Sequence, residues 1–317
     1  VNNEPVAVLN VSGNWWGSNT ERGVTAAING SVDYTPWLNS GTDTDGGTPG
    51  FQGDFSILNV SAVSPQTNAT GAIQEGINLV SGSTVNVAAG TYNETVTVNK
   101  NITMAGSGTP TIQNLIMNPG PLTLGGNFLI SSTLTLTSGV ITTNANTLTI
   151  GALGSISGGS ASSHISGKLA RMYDGTGSKT FAIGKGGNFR PVSLNYTALT
   201  GTSTVTAEQF ETALTGTLPP STTLFPNRYW SVIQSGGSAF AYNITLDGTG
   251  FSPTKTPVVL KKDGSTIVAL PFTTPNYTAT GLTSLSDFAL GEGNPAPTLV
   301  SIAPTSGTRG QTLNVGF

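Results

Sequence analysis

Apolar and hydroxyl-bearing residues alternate with a period of two along the middle of the chain. The clearest runs are Thr133–Thr137 and Thr147–Ile150, in which Leu or Ile takes every second position. A period of two places successive side chains on opposite faces of a strand, so each run predicts a strand with one buried and one wet face. Gly, Asn and Ser separate the runs, which favours a coil of short strands that turns repeatedly.

A short helix is predicted before these runs. Ile73, Ile77 and Val80 share one helical face, and Thr70 is placed to cap the helix N-terminus. The helix leads into a series of Val-x-Val, Gly-Thr-Tyr and Ile-Thr-x-x-Gly motifs that ends at Gly106. This series resembles the opening of right-handed parallel β-helices, in which a short helix caps the first coil. The resemblance and the periodicity together predict a capping helix and a parallel β-helix over residues 70–163.

Aromatic residues are concentrated near the start of the chain. An Asn-Trp-Trp-Gly motif at residues 14–17 is followed by Tyr-Thr-Pro-Trp at residues 34–37. The two motifs resemble a segment of large bacterial β-helix surface proteins of the pectate-lyase-like superfold, where the segment accompanies the end of a run of coils. The resemblance implies that residues 1–38 end an upstream β-helical stretch with an aromatic cap, and that residues 39–69 form a linker.

Charged residues return after His164, and Pro, Gly and Asp turns separate further strand-like runs. This spacing is typical of a β-sandwich, and the region resembles sandwich modules that follow β-helices in secreted bacterial proteins. We expect an immunoglobulin-like β-sandwich over residues 164–293, with one short helix over residues 208–214. Residues 294–317 resemble the first strands of a TIG (IPT) immunoglobulin-like module. The predicted fold is all-β: a right-handed parallel β-helix followed by a β-sandwich.

Composition limits the classes of function. Only 9% of the residues are charged and the formal net charge is −3, so nucleic acid and anionic membranes are poor candidate partners. No stretch is long and apolar enough to predict a membrane span. The chain has no Cys, so neither disulfides nor thiolate metal sites hold the fold. A composition with so few charged residues is typical of all-β extracellular proteins, and we expect a secreted or bacterial cell-surface location.

Polysaccharide-degrading enzymes share the β-helix fold, so their chemistry has to be considered. The lyases need carboxylates for calcium and a basic residue, and the hydrolases need a pair of carboxylates. Over residues 83–167 the only charged residues are Glu94 and Lys100. His164 has no acid near it in the sequence, which indicates a surface or junction residue. We therefore predict that the chain is not an enzyme.

Calcium is the one metal that the sequence suggests. Asp43, Asp45 and Asp54 have the alternating oxygens of a calcium loop, but the full EF-hand pattern of ligands is missing. A polar turn, in which each Asp side chain bonds its own backbone, is the favoured alternative. We expect no cofactor, and at most one calcium ion, at Asp43 and Asp45.

Two other groups of residues have a binding and a structural interpretation. Trp15, Trp16 and Trp37 suit stacking against sugar rings, but the resemblance favours rings that plug a coil edge. Five of the 12 basic residues lie between Lys168 and Arg190, where they suit an acidic polysaccharide. Successive side chains of a strand point to opposite faces, so these five basic residues do not all share one surface. This alternation favours a solvated face over a binding site.

These features predict a non-catalytic structural or adhesive segment of a large secreted or cell-surface bacterial protein. Its expected partners are neighbouring domains of a longer chain or copies of itself, and glycans are the expected ligands. Two alternatives stay open. One is a subunit of an extracellular filament that grows by strand addition, and the other is a carbohydrate-binding or polysaccharide-degrading protein whose catalytic part lies elsewhere.

Overall fold

Parallel strand pairing dominates the first half of the chain, as the period-two runs predict. The computed structural model describes residues 7–67, 69–224, 227–274 and 276–293. About 53% of the described residues are in strands, the described residues contain two helices, and the strands include a β-solenoid of about eight turns. The predicted all-β class and the parallel β-helical solenoid are therefore confirmed.

Short elements precede the solenoid: β1 (Leu9–Asn10), α1 (Glu21–Ala27), β2 (Val32–Asp33) and β3 (Trp37–Leu38). Helix α1 begins after Thr20, whose side chain accepts a hydrogen bond from the Gly23 N–H. Strands β1 and β2 pair in parallel, whereas β3 pairs antiparallel with the strand at residues 57–60. Because β3 runs against the parallel strands, this segment ends the parallel stacking on the N-terminal side of the solenoid.

The solenoid is built from strands of three to ten residues and one helix: β4 (Ile57–Val60), α2 (Ala72–Leu79), β5 (Thr84–Val87), β6 (Thr91–Val98), β7 (Ile102–Gly106), β8 (Thr111–Met117), β9 (Leu122–Leu124), β10 (Phe128–Leu136), β11 (Ile141–Ile150), β12 (Ser155–Gly158) and β13 (Ile165–Tyr173). Parallel pairing stacks them into columns, one of which runs β4, β5, β7, β9 and β11. The positions of that column that face away from the solenoid interior are rich in Thr.

Aliphatic side chains fill the interior of the solenoid. Val96, Leu115 and Leu134 lie over one another in register and are buried. Burial of each such side chain contributes roughly 1.5–3 kcal/mol. Leu136 and Leu148 are only 3% and 0% exposed. The hypothesis that the period-two runs form parallel coils with inward Leu and Ile is therefore confirmed.

Strand pairing changes direction at β13. Its first residues continue the parallel columns, and residues 169–173 also pair antiparallel with residues 203–207. Antiparallel strands follow: β14 (Gly177–Phe181), β15 (Gly184–Lys185), β16 (Asn188–Phe189), β17 (Val192–Phe210), β18 (Thr222–Leu224), β19 (Tyr229–Leu246), β20 (Pro257–Asp263), β21 (Thr266–Leu270), β22 (Phe272–Thr273), β23 (Thr278–Leu282) and β24 (Asp287–Gly293). One hydrophobic cluster extends from the solenoid into this region, so the two parts share a core.

The structure differs from the sequence predictions at several places. The predicted helix over residues 208–214 is wrong, because Glu208, Gln209 and Phe210 belong to β17 and pair with β19. Helix α1 was not predicted, and β4 adds a solenoid strand inside the expected linker at residues 39–69. The TIG prediction for residues 294–317 lies outside the described residues, and the β-sandwich over residues 164–293 stays a prediction.

Candidate functional site

A cleft lies where the start of α1 and strand β3 meet the first coils of the solenoid. Its volume is about 430 Å³. The apolar residues that line it, here called the apolar wall, are Trp37, Val87, Ala88 and Ala89, and the polar residues that line it, here called the polar wall, include Glu21, Asn59 and Asn86. Clefts that combine an apolar wall with a few fixed polar groups are typical ligand sites.

Trp37 is the largest side chain in the cleft. Strand β3 places it in a small core with Val24 and Tyr34, whose ring centroid is 5.8 Å from that of Trp37. The Trp37 side chain is only 2% exposed, and its Nε1 has no hydrogen-bond partner among the described residues. A buried indole N–H usually has an acceptor, so the unused Trp37 donor is an unusual feature of a residue that lines the cleft.

Two amides form a ladder along the polar wall. Asn59 on β4 and Asn86 on β5 are in register, and Asn86 Nδ2 donates to Asn59 Oδ1 over 2.9 Å. Asn59 Nδ2 in turn approaches the Trp37 carbonyl oxygen at 3.4 Å. Glu21 adds a carboxylate from the first turn of α1 and accepts a hydrogen bond from Ser61 Oγ. The wall therefore carries both donors and acceptors in fixed positions.

The three predicted stacking residues do not share one surface. Trp16 packs against the small core that contains Trp37, and its Nε1 has no described partner. Trp15 packs against the main core and its indole lies against Gly41. Only Trp37 lines the cleft. Asn59, Asn86 and Glu21 were not predicted, since their sequence surroundings carry no motif and register alone aligns the two amides.

The three candidate calcium ligands are held in their own turns. Asp43 Oδ1 accepts from the Asp45 and Gln52 N–H groups. Asp45 accepts from Thr48 Oγ1 and the Gly47 N–H, and these hydrogen bonds lower the pKa of its carboxyl. Asp54 accepts from the Ser56 N–H, and hydrogen bonds from Ser56 lower its pKa. Within the described ranges no three His, Cys, Asp or Glu side chains are grouped to hold a metal. Calcium at these residues stays a prediction.

Both charged residues of the solenoid run contact the ends of helix α2. Glu94 Oε1 and Oε2 accept from the Ile73 and Gln74 N–H groups, each over 3.0 Å. Lys100 Nζ donates to the carbonyl oxygen of Val80, the C-cap, over 2.7 Å. A negative charge at the N-terminus and a positive charge at the C-terminus complement the helix dipole. The N-cap is Gly71 and not the predicted Thr70, and a Cβ at residue 71 would overlap the Glu94 carboxylate.

Replacing Glu94 with Ala is expected to destabilise the chain by about 2 kcal/mol, because the Ile73 and Gln74 N–H groups lose their acceptors. Burial raises the pKa of the Glu94 carboxyl, and the two N–H groups oppose that rise. Urea unfolding followed by circular dichroism measures the change. Asn93→Ala is the matched control, since Asn93 is the exposed neighbour on the same strand. Equal stability of Glu94→Ala and Asn93→Ala would contradict a capping role.

The remaining basic and titratable candidates have structural contacts. Arg190 pairs with Glu211 at 3.3 Å and with Asp247 at 3.6 Å. His164 is buried at the end of the solenoid, and its Nδ1 lies 3.1 Å from the Ser160 carbonyl oxygen. The sequence predicts a surface or a junction residue at His164, and its buried position agrees with a junction residue. Arg171 and Lys179 line a second pocket together.

Comparisons with known proteins do not assign the chain to a family. No protein-family model, no curated protein and no solved structure matches it. No helix in the described part of the chain is long and apolar enough to cross a membrane. The chemistry of the cleft beside Trp37 therefore follows from the residues of the cleft alone. Among the described residues that line it, Glu21 is the single carboxylate, whereas glycoside hydrolysis uses two.

Proposed function

We propose that this chain is a non-catalytic structural and adhesive segment of a secreted or cell-surface bacterial protein, and that it binds a neutral glycan in the cleft beside Trp37. The observation that carries the proposal is the buried Trp37 N–H, which has no described acceptor and belongs to a residue that lines the cleft. Sugar hydroxyls both donate and accept hydrogen bonds, as the Asn59 and Asn86 amides do.

The apolar wall supports the same ligand class. The small side chains of Ala88 and Ala89, beside the buried Trp37, suit the C–H face of a pyranose ring. Glu21 is engaged by Ser61 Oγ, so its carboxylate is fixed as an acceptor. One fixed carboxylate favours recognition over hydrolysis.

The architecture suits a stiff spacer that presents such a site. Long ladders of parallel strand pairs and a continuous core join the coils. In this proposal the solenoid is right-handed, and the antiparallel strands from residue 164 to residue 293 form an immunoglobulin-like sandwich. The neighbours of this segment are further domains of the same protein or copies of it.

A glycan array with the purified chain, followed by calorimetry with the bound sugar, tests the site. Asn86→Ala and Trp37→Phe, which remove an amide and the ring N–H, are each expected to weaken binding by about tenfold or more. Thr123→Ala, an outward position of the same strand column that does not line the cleft, is the control and should bind like wild type. Circular dichroism checks that each variant is folded.

The proposal fails if no neutral glycan binds, or if Asn86→Ala and Trp37→Phe both bind as tightly as the control. Release of reducing sugar or of unsaturated product from a polysaccharide would overturn its non-catalytic part.

A further inference from the structure

A second pocket lies at the other end of the solenoid, where the last coils meet β14. Its volume is about 400 Å³, and the polar and charged residues that line it are Arg171, Lys179, Ser155, Ser178 and Thr180. No carboxylate is among the described residues that line it. Two cationic residues therefore line the pocket, and none of the described residues that line it carries a negative charge.

Arg171 occupies an unusual position in the solenoid. It continues the interior row of Ile112, Ile130 and Ile150, because each of these residues is in register with the next. The side chain is only 6% exposed, and its Nη1 and Nη2 donate to the Thr180 and Gly154 carbonyl oxygens over 2.7 and 3.0 Å. Its Nε has no hydrogen-bond partner among the described residues. The buried guanidinium is therefore held by carbonyl oxygens alone, and among the described residues no carboxylate balances its charge.

Lys179 brings a second positive charge to the same pocket. Its Nζ donates to the Ala152 carbonyl oxygen and lies 5.3 Å from the centroid of the Tyr173 ring. Neither Lys179 nor Arg171 pairs with a carboxylate in the described part of the chain, where both ion pairs belong to Arg190. Burial lowers the pKa of both groups, and the charge of Arg171 lowers that of Lys179 further. Asp174 opposes the effect on Lys179.

We propose that this pocket binds the carboxylate of an acidic saccharide between Arg171 and Lys179. A carboxylate would accept from Lys179 Nζ beside the Arg171 guanidinium, and it would relieve the repulsion between the two cations. Ser155 and Ser178, which also line the pocket, would provide hydroxyl partners for the sugar hydroxyls beside it. This pocket is separate from the cleft at Trp37 and its occupancy does not depend on that site.

The placement changes the interpretation of the basic group between Lys168 and Arg190. Alternation along single strands predicts that its members point to different sides, and Arg190 does pair with acids elsewhere. Arg171 on β13 and Lys179 on β14 nevertheless line one pocket, because Arg171 Nη1 reaches β14 and donates to the carbonyl oxygen of Thr180, next to Lys179. The sequence spacing between them does not indicate this.

Calorimetry of the whole chain with trigalacturonate tests the proposal, with the fully methyl-esterified trimer and inorganic sulfate as separate arms. We expect binding of trigalacturonate, at least about tenfold weaker binding of the neutral ester, and loss of affinity as salt is raised. Sulfate that binds as tightly as trigalacturonate would identify a general anion site and overturn the saccharide assignment. Equal binding of the ester and the acid would overturn the role of the cations.

Two variants locate the site. Lys179→Met removes the charge and keeps an unbranched apolar side chain, and Ser178→Trp fills the pocket without removing either cation. Each is expected to weaken trigalacturonate binding by about tenfold or more. Lys168→Met is the matched control, because Lys168 is also on β13 but does not line the pocket. Wild-type affinity in both Lys179→Met and Ser178→Trp, or no binding of trigalacturonate by the wild type, would refute the proposal.

Discussion

Replacing Leu136 with Asp is expected to destabilise the solenoid by about 4 kcal/mol or more. Leu136 is 3% exposed and is in register with Met117 on the preceding coil, so an Asp at this position has no water and no described partner. The loss combines removal of a buried Leu with burial of a carboxyl group. Urea unfolding should show the decrease, and amide hydrogen exchange should show reduced protection in strands β8, β10 and β12.

Thr137→Asp is the matched control for this prediction. Thr137 follows Leu136 directly and is exposed, so the same new charge reaches water and its effect should stay within about 0.5 kcal/mol. Comparable stability of Leu136→Asp and Thr137→Asp would mean that residue 136 does not face a packed interior.

Gly139→Ala is expected to destabilise the chain by roughly 3 kcal/mol. Gly139 lies in the turn between β10 and β11 with φ +100°, a conformation that costs an L-residue about 1–2 kcal/mol. A Cβ there would also overlap the carbonyl oxygen of Gly120 on the preceding coil, and overpacking of this kind costs about 1–3 kcal/mol. The two coils would have to separate locally. Thermal and urea unfolding both measure the loss.

Gly186→Ala separates the two causes. Gly186 has φ +58°, but a Cβ there would have no neighbour within 4 Å. Only the conformational penalty remains, so we expect a loss of about 1 kcal/mol. If Gly139→Ala destabilised no more than Gly186→Ala, the close approach of the coils at Gly120 would not limit the side chain at residue 139.

The candidate site was only partly accessible to sequence analysis. Trp37 was identified because the aromatic motif around it is distinctive, but the motif does not show that Trp15 faces a different core. Asn59 and Asn86 are 27 residues apart and meet because parallel register places them side by side. A residue pair that is joined through register has no signature in local sequence, so this part of the site required the structure.

Strand register also explains why the helix predicted over residues 208–214 does not form. Residues 208–214 have a mixture of polar and apolar residues that is compatible with a helical face, so local pattern alone does not exclude a helix. Phe210 stacks against the Tyr229 ring, with centroids 4.6 Å apart, and the strand pairing of β17 with β19 continues to these two residues. Pairing with a long partner strand outweighs a weak local preference, since helix propensities differ by less than about 1 kcal/mol per residue.

The sequence by itself determined the all-β class, the parallel coils and the buried faces of the period-two runs. It determined them because alternation of Leu with Thr is a local property that only strands can satisfy, and because short coils stack nearest neighbours in the chain. The tertiary structure alone decided what the isolated charges do. Glu94 and Lys100 contact opposite ends of helix α2, and Arg171 and Lys179 share a pocket. These contacts join residues of different coils or strands, and the distance between such residues follows from coil length and register, which the local pattern leaves free.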